Sequence, residues 1–253
     1  LSPAAVGTKL FPLYRYDEEG NRVDNITDWA LKQFQQHYQS SVVPAQAGIQ
    51  PIKKAPKGQK AKPLDSCLRG NDDINKQAIF HYCYAVLHDP LYREKYALNL
   101  KREFPRIPFY ADFWQWAAWG EALMALHIGY ESVAPFALKR SDIPDEKARA
   151  AGLQAKAILR ADKEAGSITL DSETTLRGIP PAAWKYKLGN RCALEWILDQ
   201  YKEKKPKDPT IRKKFDTYRF VDYKEKVIDL LMRVTTVSVE TERITEAMKA
   251  AVR

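Results

Sequence analysis

The 253-residue chain lacks the short motifs by which most enzymes are recognised. It has no glycine-rich phosphate loop, no Asp-Pro-Pro-Tyr or Asn-Pro-Pro-Tyr methyltransferase motif, and no Ser, His and Asp set in a familiar local pattern. A nuclease pattern of the form Asp…Glu-x-Lys can be imposed on Glu225 and nearby lysines, but short charged strings match that pattern easily. We therefore expect no catalytic residue, metal site or cofactor in this chain, and interpret it as a binding protein.

Cysteine and histidine are scarce, which argues against a disulfide framework or a metal site. Cys67, Cys83 and Cys192 are odd in number and widely spaced, as expected of a reduced cytosolic protein. His81 and His88 are seven residues apart, two turns along one helix face and too far for a shared metal ion. No apolar run approaches the roughly 20 residues that cross a bilayer, and no signal peptide is visible. We expect a cytoplasmic protein without membrane contact.

Positive charge is in excess. There are 41 Lys and Arg against 32 Asp and Glu, a net charge of +9 and a pI near 9.3. This balance favours a polyanionic partner, because neutralised phosphates release their condensed counterions, although many basic proteins bind no nucleic acid. The chain starts with leucine, not methionine, and we interpret it as part of a longer protein.

The apolar pattern predicts an α+β fold, helix-rich, with a few short strands and C-terminal helices. In the first half we expect a strand over Lys9–Tyr16 and a helix from the N-cap Thr27 to Gln39. Helices broken at an Asp-Pro pair should follow from Ile74 to Leu100. The segment Phe104–Phe109 is a predicted extended connector, since each proline biases its predecessor away from helix. An aromatic-rich helix is expected over Phe113–Ile128.

The second half is predicted to mix short strands with helices. The expected strands are Ser167–Leu170, Thr174–Arg177 and Trp184–Leu188, the last ending in a turn at Gly189. The expected helices are a charged one over Asp145–Lys163, a short one over Ala193–Tyr201 and a long one over Tyr223–Ala250, with a polar loop over Lys202–Phe220.

Residues 41–73 interrupt this pattern. The segment holds four prolines, three glycines and five lysines but no aromatic residue, so it cannot bury enough surface to offset its ordering entropy. Its two ends look like the in-frame translation of a dispersed palindromic repeat of bacterial genomes. We expect a disordered inserted loop on the surface, which costs little extra closure entropy. The alternative is a basic arm that contacts DNA.

The candidate binding residues are basic or amide side chains in predicted loops and turns. Arginine is the usual partner of guanine edges and of phosphate, although any single surface charge is more often only solvated. The candidates are Lys101, Arg102 and Arg106 around the connector; Lys139 and Arg140; Lys185, Lys187, Asn190 and Arg191 at a strand and turn; and Lys204, Lys205, Lys207, Arg212, Lys213 and Lys214 in the polar loop. Glu195 and Trp196 are interpreted as packing and orienting residues, and Glu240 as a structural residue that caps a helix or pairs with an arginine such as Arg233.

Six blocks occur in an order that is informative as a whole: Asn25–Trp29, Phe80–His88, Lys101–Phe109, Ala125–Glu131, Leu188–Tyr201 and Val234–Thr241. Together they resemble the C-terminal specificity region of the Type ISP restriction-modification enzymes. Two departures stand out: the segment 41–73 has no counterpart in the family pattern, and Cys192 stands where we expect serine.

The resemblance implies that residues 1–253 form one target-recognition region of a larger enzyme. It implies double-stranded DNA and the methyltransferase domain of the same polypeptide as partners. S-adenosylmethionine, ATP and Mg²⁺ would be cofactors of the parent enzyme, whose other domains would methylate adenine and cleave DNA. Two alternatives stay open: a helical protein-docking module without DNA specificity, and a nuclease fragment, against which the lack of a motif argues.

Overall fold

The computed structural model describes residues 11–39, 74–203, 208–215 and 218–253. They form two compact units, the first from residues up to Ala122 together with Ala251–Arg253, the second from Leu123–Ala250. The combination of helices with small antiparallel sheets confirms the predicted α+β class. The predicted insertion at 41–73 lies outside the described residues. Within them, no helix is both long enough and apolar enough to span a membrane.

The first unit contains a two-stranded hairpin and most of the helices of the first half. Its elements are β1 (Tyr14–Tyr16), β2 (Arg22–Asp24), α1 (Asp28–Gln39), α2 (Lys76–His88), α3 (Pro90–Lys95), α4 (Ala97–Arg102) and the first part of α5 (Phe113–Ile128). The hydroxyl of Thr27 accepts from the backbone N–H of Ala30 at 3.2 Å, as expected of the predicted N-cap. The predicted break at the Asp-Pro pair is also present, because Asp89 ends α2 and caps α3.

An extended segment between α4 and α5 is fastened by tyrosine hydroxyls from three helices. Each hydroxyl donates to a backbone carbonyl of the segment, in the pairs Tyr92–Arg106 at 2.8 Å, Tyr82–Pro108 at 2.7 Å and Tyr38–Tyr110 at 2.7 Å. Alternate carbonyls of an extended chain point to the same side, so one edge of the segment faces α1, α2 and α3. Proline keeps its carbonyl while lacking an N–H. The predicted connector is therefore rigid despite its two prolines.

Helices α2 and α5 approach each other closely at Gly120. A Cβ atom added there would lie 1.7 Å from the backbone oxygen of His81. Glycine within a helix costs about 1 kcal/mol relative to alanine, so helix propensity alone disfavours it here. The absence of a side chain is what allows the two backbones to come together.

The second unit is built on a four-stranded antiparallel sheet in the order β3-β6-β5-β4. Its strands are β3 (Lys139–Asp142), β4 (Ala157–Asp162), β5 (Ser167–Asp171) and β6 (Thr174–Arg177). The remaining elements are α6 (Glu146–Ala150), α7 (Pro181–Lys185), the hairpin of β7 (Lys187–Leu188) and β8 (Arg191–Cys192), α8 (Ala193–Gln200), α9 (Pro209–Phe215), a 3₁₀ turn at Phe220–Tyr223 and α10 (Lys224–Lys249).

One face of this sheet is covered by α7, α8 and α10. The buried core combines strand residues such as Ile168 and Leu176 with Leu194 of α8 and Leu231 of α10. Helix α10 confirms the predicted C-terminal helix although it contains a run of β-branched residues. The buried hydroxyls of Thr235 and Ser238 donate to the carbonyls of Leu231 and Val234, four residues earlier, at 2.7 Å each, so neither polar group is left unsatisfied.

The edge strand β4 contains a bulge. Its register against β5 shifts between the pairs Ala157–Asp171 and Arg160–Thr169, where β4 advances by three residues and β5 by two. Leu159 has a φ of +50°, a left-handed conformation that costs energy for a leucine, while its side chain is buried in the core. The bulge therefore places Leu159 in the core and keeps Arg160 on the opposite face of the sheet.

The prediction of a helix over Asp145–Lys163 is wrong. The helix is limited to α6, and Gly152, with a φ of +66°, lies in the turn that follows it. Residues 157–162 instead pair with β5, because the tertiary pairing of β4 outweighs the helix propensity of its alanines. The short strand β3 was not predicted.

Three smaller expectations also differ from the structure. In the predicted strand Trp184–Leu188, the first two residues belong to helix α7, which begins with proline at its first turn, and Lys187 and Leu188 form the strand β7. Helix α9 lies within the predicted polar loop. Glu240 pairs with an arginine, but with Arg243 at 2.8 Å rather than with Arg233, which pairs with Asp229 at 2.6 Å. Both observed pairs lie within one helical turn, where side chains three or four residues apart meet.

Replacement of Gly120 by alanine should lower the free energy of unfolding by about 2 kcal/mol or more, because α2 and α5 must separate to admit the new methyl group. Helix propensity alone would give a gain of about 1 kcal/mol. Urea unfolding distinguishes the two results. The matched control is Ala118→Gly, at an exposed position of the same helix, which should cost about 1 kcal/mol. A Gly120→Ala variant as stable as the wild type would contradict the close approach.

Candidate nucleic-acid interface

Three predicted binding residues of the first unit lie close together along the chain and are exposed. Lys101 and Arg102 belong to the last turn of α4. The side chain of Arg106 is 92% exposed and lies 3.7 Å from the Glu103 carboxylate, a distance too long for a strong ion pair. Because the carbonyl of Arg106 is held by Tyr92, its side chain projects from a fixed backbone.

Arg140 is engaged in the fold of the second unit. Its guanidinium donates to both carboxylate oxygens of Glu225 at 2.7 and 2.9 Å and to Asp142 at 2.8 Å. The hydrogen bonds from Arg140 lower the pKa of Glu225. This bidentate pair joins β3 to α10, and contact of Arg140 with DNA would have to break it. Lys139, the preceding residue, is exposed on the other side of the strand.

The β7–β8 hairpin presents two of the predicted residues. A two-residue turn of Gly189 and Asn190 connects the strands, and Gly189 has a φ of +72°, which glycine adopts without strain. Lys187 and Asn190 are exposed. The indole N–H of Trp196 donates to the carbonyl of Leu188 at 2.8 Å, so the hairpin is braced from α8. Lys185 is exposed at the end of α7, just before it.

Arg191 and Glu195 support this hairpin. Arg191 pairs with Asp199 at 3.1 Å and lies over the ring of Trp196 at 5.4 Å. Glu195 accepts from the backbone N–H of Cys192 at 3.0 Å and pairs with Lys163 at 2.8 Å. These contacts agree with the packing and orienting role predicted for Glu195 and Trp196. Contact of Arg191 with DNA stays a prediction.

The pKa of Glu195 shows how firmly its charge is held. Partial burial acts to raise this pKa, but the ion pair with Lys163 and the hydrogen bonds from Cys192 outweigh burial and lower it to about 2. Glu195 is the third residue of α8 and closes onto the residue before the helix, as in a capping box. Serine is a preferred residue at that capping position, which gives a physical reason for the serine expected in place of Cys192.

The predicted lysine-rich cluster is only partly described. Lys204, Lys205 and Lys207 lie outside the described residues. Arg212, Lys213 and Lys214 belong to helix α9 rather than to a loop, and Lys213 is exposed; only the backbone of the other two is described. A short helix thus replaces part of the basic loop that the sequence suggested.

Two arginines that the sequence analysis did not select stand out. Arg160 on β4 and Arg177 on β6 are exposed, and neither forms an ion pair with any carboxylate that the structure describes. Among the same described residues, no group of three or more His, Cys, Asp and Glu side chains could hold a metal ion.

A helix-rich α+β chain with a braced basic hairpin and exposed basic strands has the features of a nucleic-acid-binding recognition module. Residues 2–230 match the family model described as the Type ISP C-terminal specificity domain, and the chain belongs to that family. The resemblance drawn from the six sequence blocks is confirmed. No curated protein matches this chain.

Solved structures agree with the family assignment. A chain of the DrdV–DNA complex, determined by cryo-electron microscopy, is 53% identical, with a TM-score of 0.78 over 96% of this chain and 22% of that one. A nuclease-deletion mutant of the Type ISP enzyme LlaGI, in complex with a DNA substrate mimic, is 28% identical, with a TM-score of 0.56 over 72% of this chain and 14% of that one. This chain thus spans about a fifth or less of those proteins.

The fold extends to a more distant enzyme. The ATP-dependent Type ISP restriction-modification enzyme LlaBIII, in a structure bound to DNA, is 19% identical, with a TM-score of 0.62 over 95% of this chain and 13% of that one. At this identity the likeness concerns the fold alone. The arrangement of elements is therefore kept while most side chains differ.

Glu195→Gln should lower the free energy of unfolding by about 1 kcal/mol at pH 7, because the amide keeps a weaker cap and loses the ion pair. Since the pKa of Glu195 falls from an ordinary 4.5 to about 2 on folding, its charge stabilises the protein above about pH 4.5 and ceases to do so as the pH falls through 2. The difference between variant and wild type should therefore shrink between pH 5 and pH 2 in urea unfolding. Glu240→Gln is the control, and an equal pH trend there would contradict the assignment.

Proposed function

We propose that this chain reads a specific sequence in duplex DNA on behalf of a restriction-modification enzyme. The observation that carries the proposal is its membership of the Type ISP C-terminal specificity domain family over residues 2–230. The 53% identity to a chain of the DrdV–DNA complex supports it. Methylation and cleavage would then be the work of other domains, since the sequence has no motif for either reaction.

Exposed basic groups on rigid supports suit this role. Phosphate contacts set the register of a protein on DNA, and contacts to base edges in the grooves supply the specificity. Lys187 and Asn190 project from a hairpin braced by Trp196. A lysine there suits a phosphate or a guanine edge, and an asparagine can pair in bidentate fashion with adenine. Lys101 and Arg102, at the end of α4, are candidates for phosphate contacts.

The partner domain and the cofactors of the parent enzyme are inferred from the family. In this proposal the chain docks on the methyltransferase domain of the same polypeptide, in the cytoplasm, and both hold the duplex while the target adenine is flipped out of the stack. S-adenosylmethionine, ATP and Mg²⁺ are the cofactors proposed for the other domains. The alternative function is a helical docking module that contacts only protein.

Selection of bound molecules from a pool of random duplexes, at about 150 mM salt where non-specific binding is weak, tests the proposal. We expect enrichment of a short asymmetric motif that contains adenine. Asn190→Ala should relax the preference at one position, whereas Lys187→Ala should weaken binding to all sequences by a similar factor. Glu240→Gln, on α10 and outside the hairpin, is the control and should keep the wild-type motif. Failure to retain any duplex would favour the docking module.

We further propose that residues 41–73 are an insertion into an otherwise continuous unit. Contacts on the two sides of the segment support this. The side-chain amide of Gln35 donates to the carbonyl of Ile74 at 2.9 Å, and Lys76 pairs with Asp24 at 3.1 Å and Asp28 at 2.7 Å. The residues before and after the segment thus belong to one packed structure, which a short connection is expected to complete.

Deletion of Val42–Asn71 should leave the unfolding temperature unchanged or raise it, because a shorter connection loses less entropy on folding. Calorimetry measures this directly. An internal control is the Lys76→Gln variant of both chains, which should cost the same in each if the ion pairs with Asp24 and Asp28 survive the deletion. Loss of cooperative unfolding in the deleted chain would show that the segment is structural.

A further inference from the structure

The four-stranded sheet of the second unit has two rows of polar side chains on the face opposite its core. Between these rows lies the row of Leu176 and Ile168, which are buried against the helices. Because successive side chains of a strand point to opposite faces, the neighbouring rows point away from the core. Read across the strands from β3 to β4, one row is Ser141, Thr175, Thr169 and Arg160, and the other is Lys139, Arg177, Ser167 and Asp162.

The basic side chains of this face differ in their ion pairing from five other arginines of the unit. Lys139, Arg160 and Arg177 are exposed and pair with no carboxylate among the described residues. Five other arginines of the unit do pair with carboxylates, at 2.6 to 3.1 Å: Arg140, Arg149, Arg191, Arg233 and Arg243. Alternation alone requires only that the solvent face be polar. It does not require that unpaired cations be collected there.

Asp162, the carboxylate in these two rows, does not neutralise those cations, and Asp171, further along β5, pairs with Lys224 at 2.7 Å. Asp162 lies at the end of its row, on β4, and accepts from the backbone N–H of Ala165 at 3.0 Å, within the turn that follows the strand. Three cations against one carboxylate committed to a turn leave the two rows positively charged. A polyanion is the complementary partner.

A row of hydroxyls lies beside the cations. Ser141, Thr175 and Thr169 occupy paired positions on β3, β6 and β5 and are half-buried. Their hydroxyls have no hydrogen-bond partner among the described residues. Strands lie about 4.8 Å apart, so the three hydroxyls span about 10 Å. Serine and threonine hydroxyls, with arginine and lysine, are the groups that donate to phosphate and sugar oxygens in protein–DNA complexes.

We propose that this face, made of Lys139, Arg160, Arg177 and the hydroxyl row, binds the sugar-phosphate backbone of duplex DNA. The assignment rests on the proposed function and names a surface for it. Short hydroxyls fixed on a sheet cannot reach far into a groove, so the face positions the duplex without selecting its sequence. The bulge at Leu159 contributes by keeping Arg160 on this face. Base readout is left to longer side chains elsewhere, such as those of the β7–β8 hairpin.

A triple variant tests the assignment: Lys139→Gln, Arg160→Gln and Arg177→Gln. Its control, Lys226→Gln, Arg243→Gln and Lys249→Gln, removes the same charge from α10, which packs on the opposite face of the sheet. Duplex affinity is measured between about 50 and 200 mM salt. Three lost phosphate contacts should reduce the slope of log K against log salt by about 2.7, while the control keeps the wild-type slope. Equal slopes in the two variants would overturn the assignment.

The two proposals fail in different ways. A wild-type chain that binds duplex, with a triple variant of unchanged salt slope, would overturn this surface and leave the proposed function standing. A wild-type chain that binds no duplex would overturn both.

A second measurement uses the wild-type chain and does not depend on the folding of a variant. The rate at which Lys139 is acetylated by a soluble reagent should fall several-fold when duplex is added, because bound phosphate shields its amine. Lys226, exposed on α10, should react at the same rate with and without DNA. Equal protection of both lysines, or protection of neither, would overturn the assignment.

Discussion

Burial of one face of the four-stranded sheet is the constraint on which the second unit depends. Helices α7, α8 and α10 cover that face, and residues such as Ile168, Leu176, Leu194 and Leu231 fill the space between. Once one face is committed to the core, the two-residue alternation sends the intervening side chains to the other face, except at the bulge in β4. Polar groups are thereby collected on the surface of a packed sheet, and the core that stabilises the unit also organises the surface proposed to contact DNA.

In the first unit, the constraint is that the extended connector between α4 and α5 has few backbone N–H groups through which it can be held. Its connector contains two prolines, which lack a backbone N–H, and so cannot be held through a regular ladder of hydrogen bonds donated by its own N–H groups. Tyrosines on three helices use the carbonyls instead. Burial raises the pKa of Tyr82, so this hydroxyl remains a donor at any physiological pH. The exposed side chain of Arg106 is consequently presented from a backbone that does not move freely.

Local pattern was enough to predict some elements. Helices α1, α5, α8 and α10 follow from caps and apolar periodicity, and the strands β5 and β6 from short apolar alternation. Strand β4 could not be predicted, because alanine and charged residues favour a helix until pairing with β5 decides otherwise. Because Asp145–Lys163 was predicted to be a helix, Arg160 was not selected as a candidate binding residue. Arg177 could have been selected from the sequence, because alternation along β6 places its side chain on the other face of the sheet from that of Leu176.

The predicted site was harder to obtain from sequence than the fold. Arg140 looks like a free cation because its partner Glu225 lies 85 residues further along the chain. Whether a basic residue is paired depends on such distant contacts, which no local pattern contains. The family resemblance identified the type of domain, but it matches shared positions and therefore says little about side chains that vary with the recognised sequence.

The bulge in β4 has a consequence for the solubility of the domain. An edge strand exposes backbone N–H and C=O groups that can accept a strand from another molecule and so begin aggregation. In β4 the extra residue at Leu159 interrupts the regular ladder, leaving only Arg160–Asp162 as an uninterrupted edge. A second molecule would find too few paired positions to extend the sheet at this edge, so the same irregularity that orients Arg160 also disfavours self-association through β4.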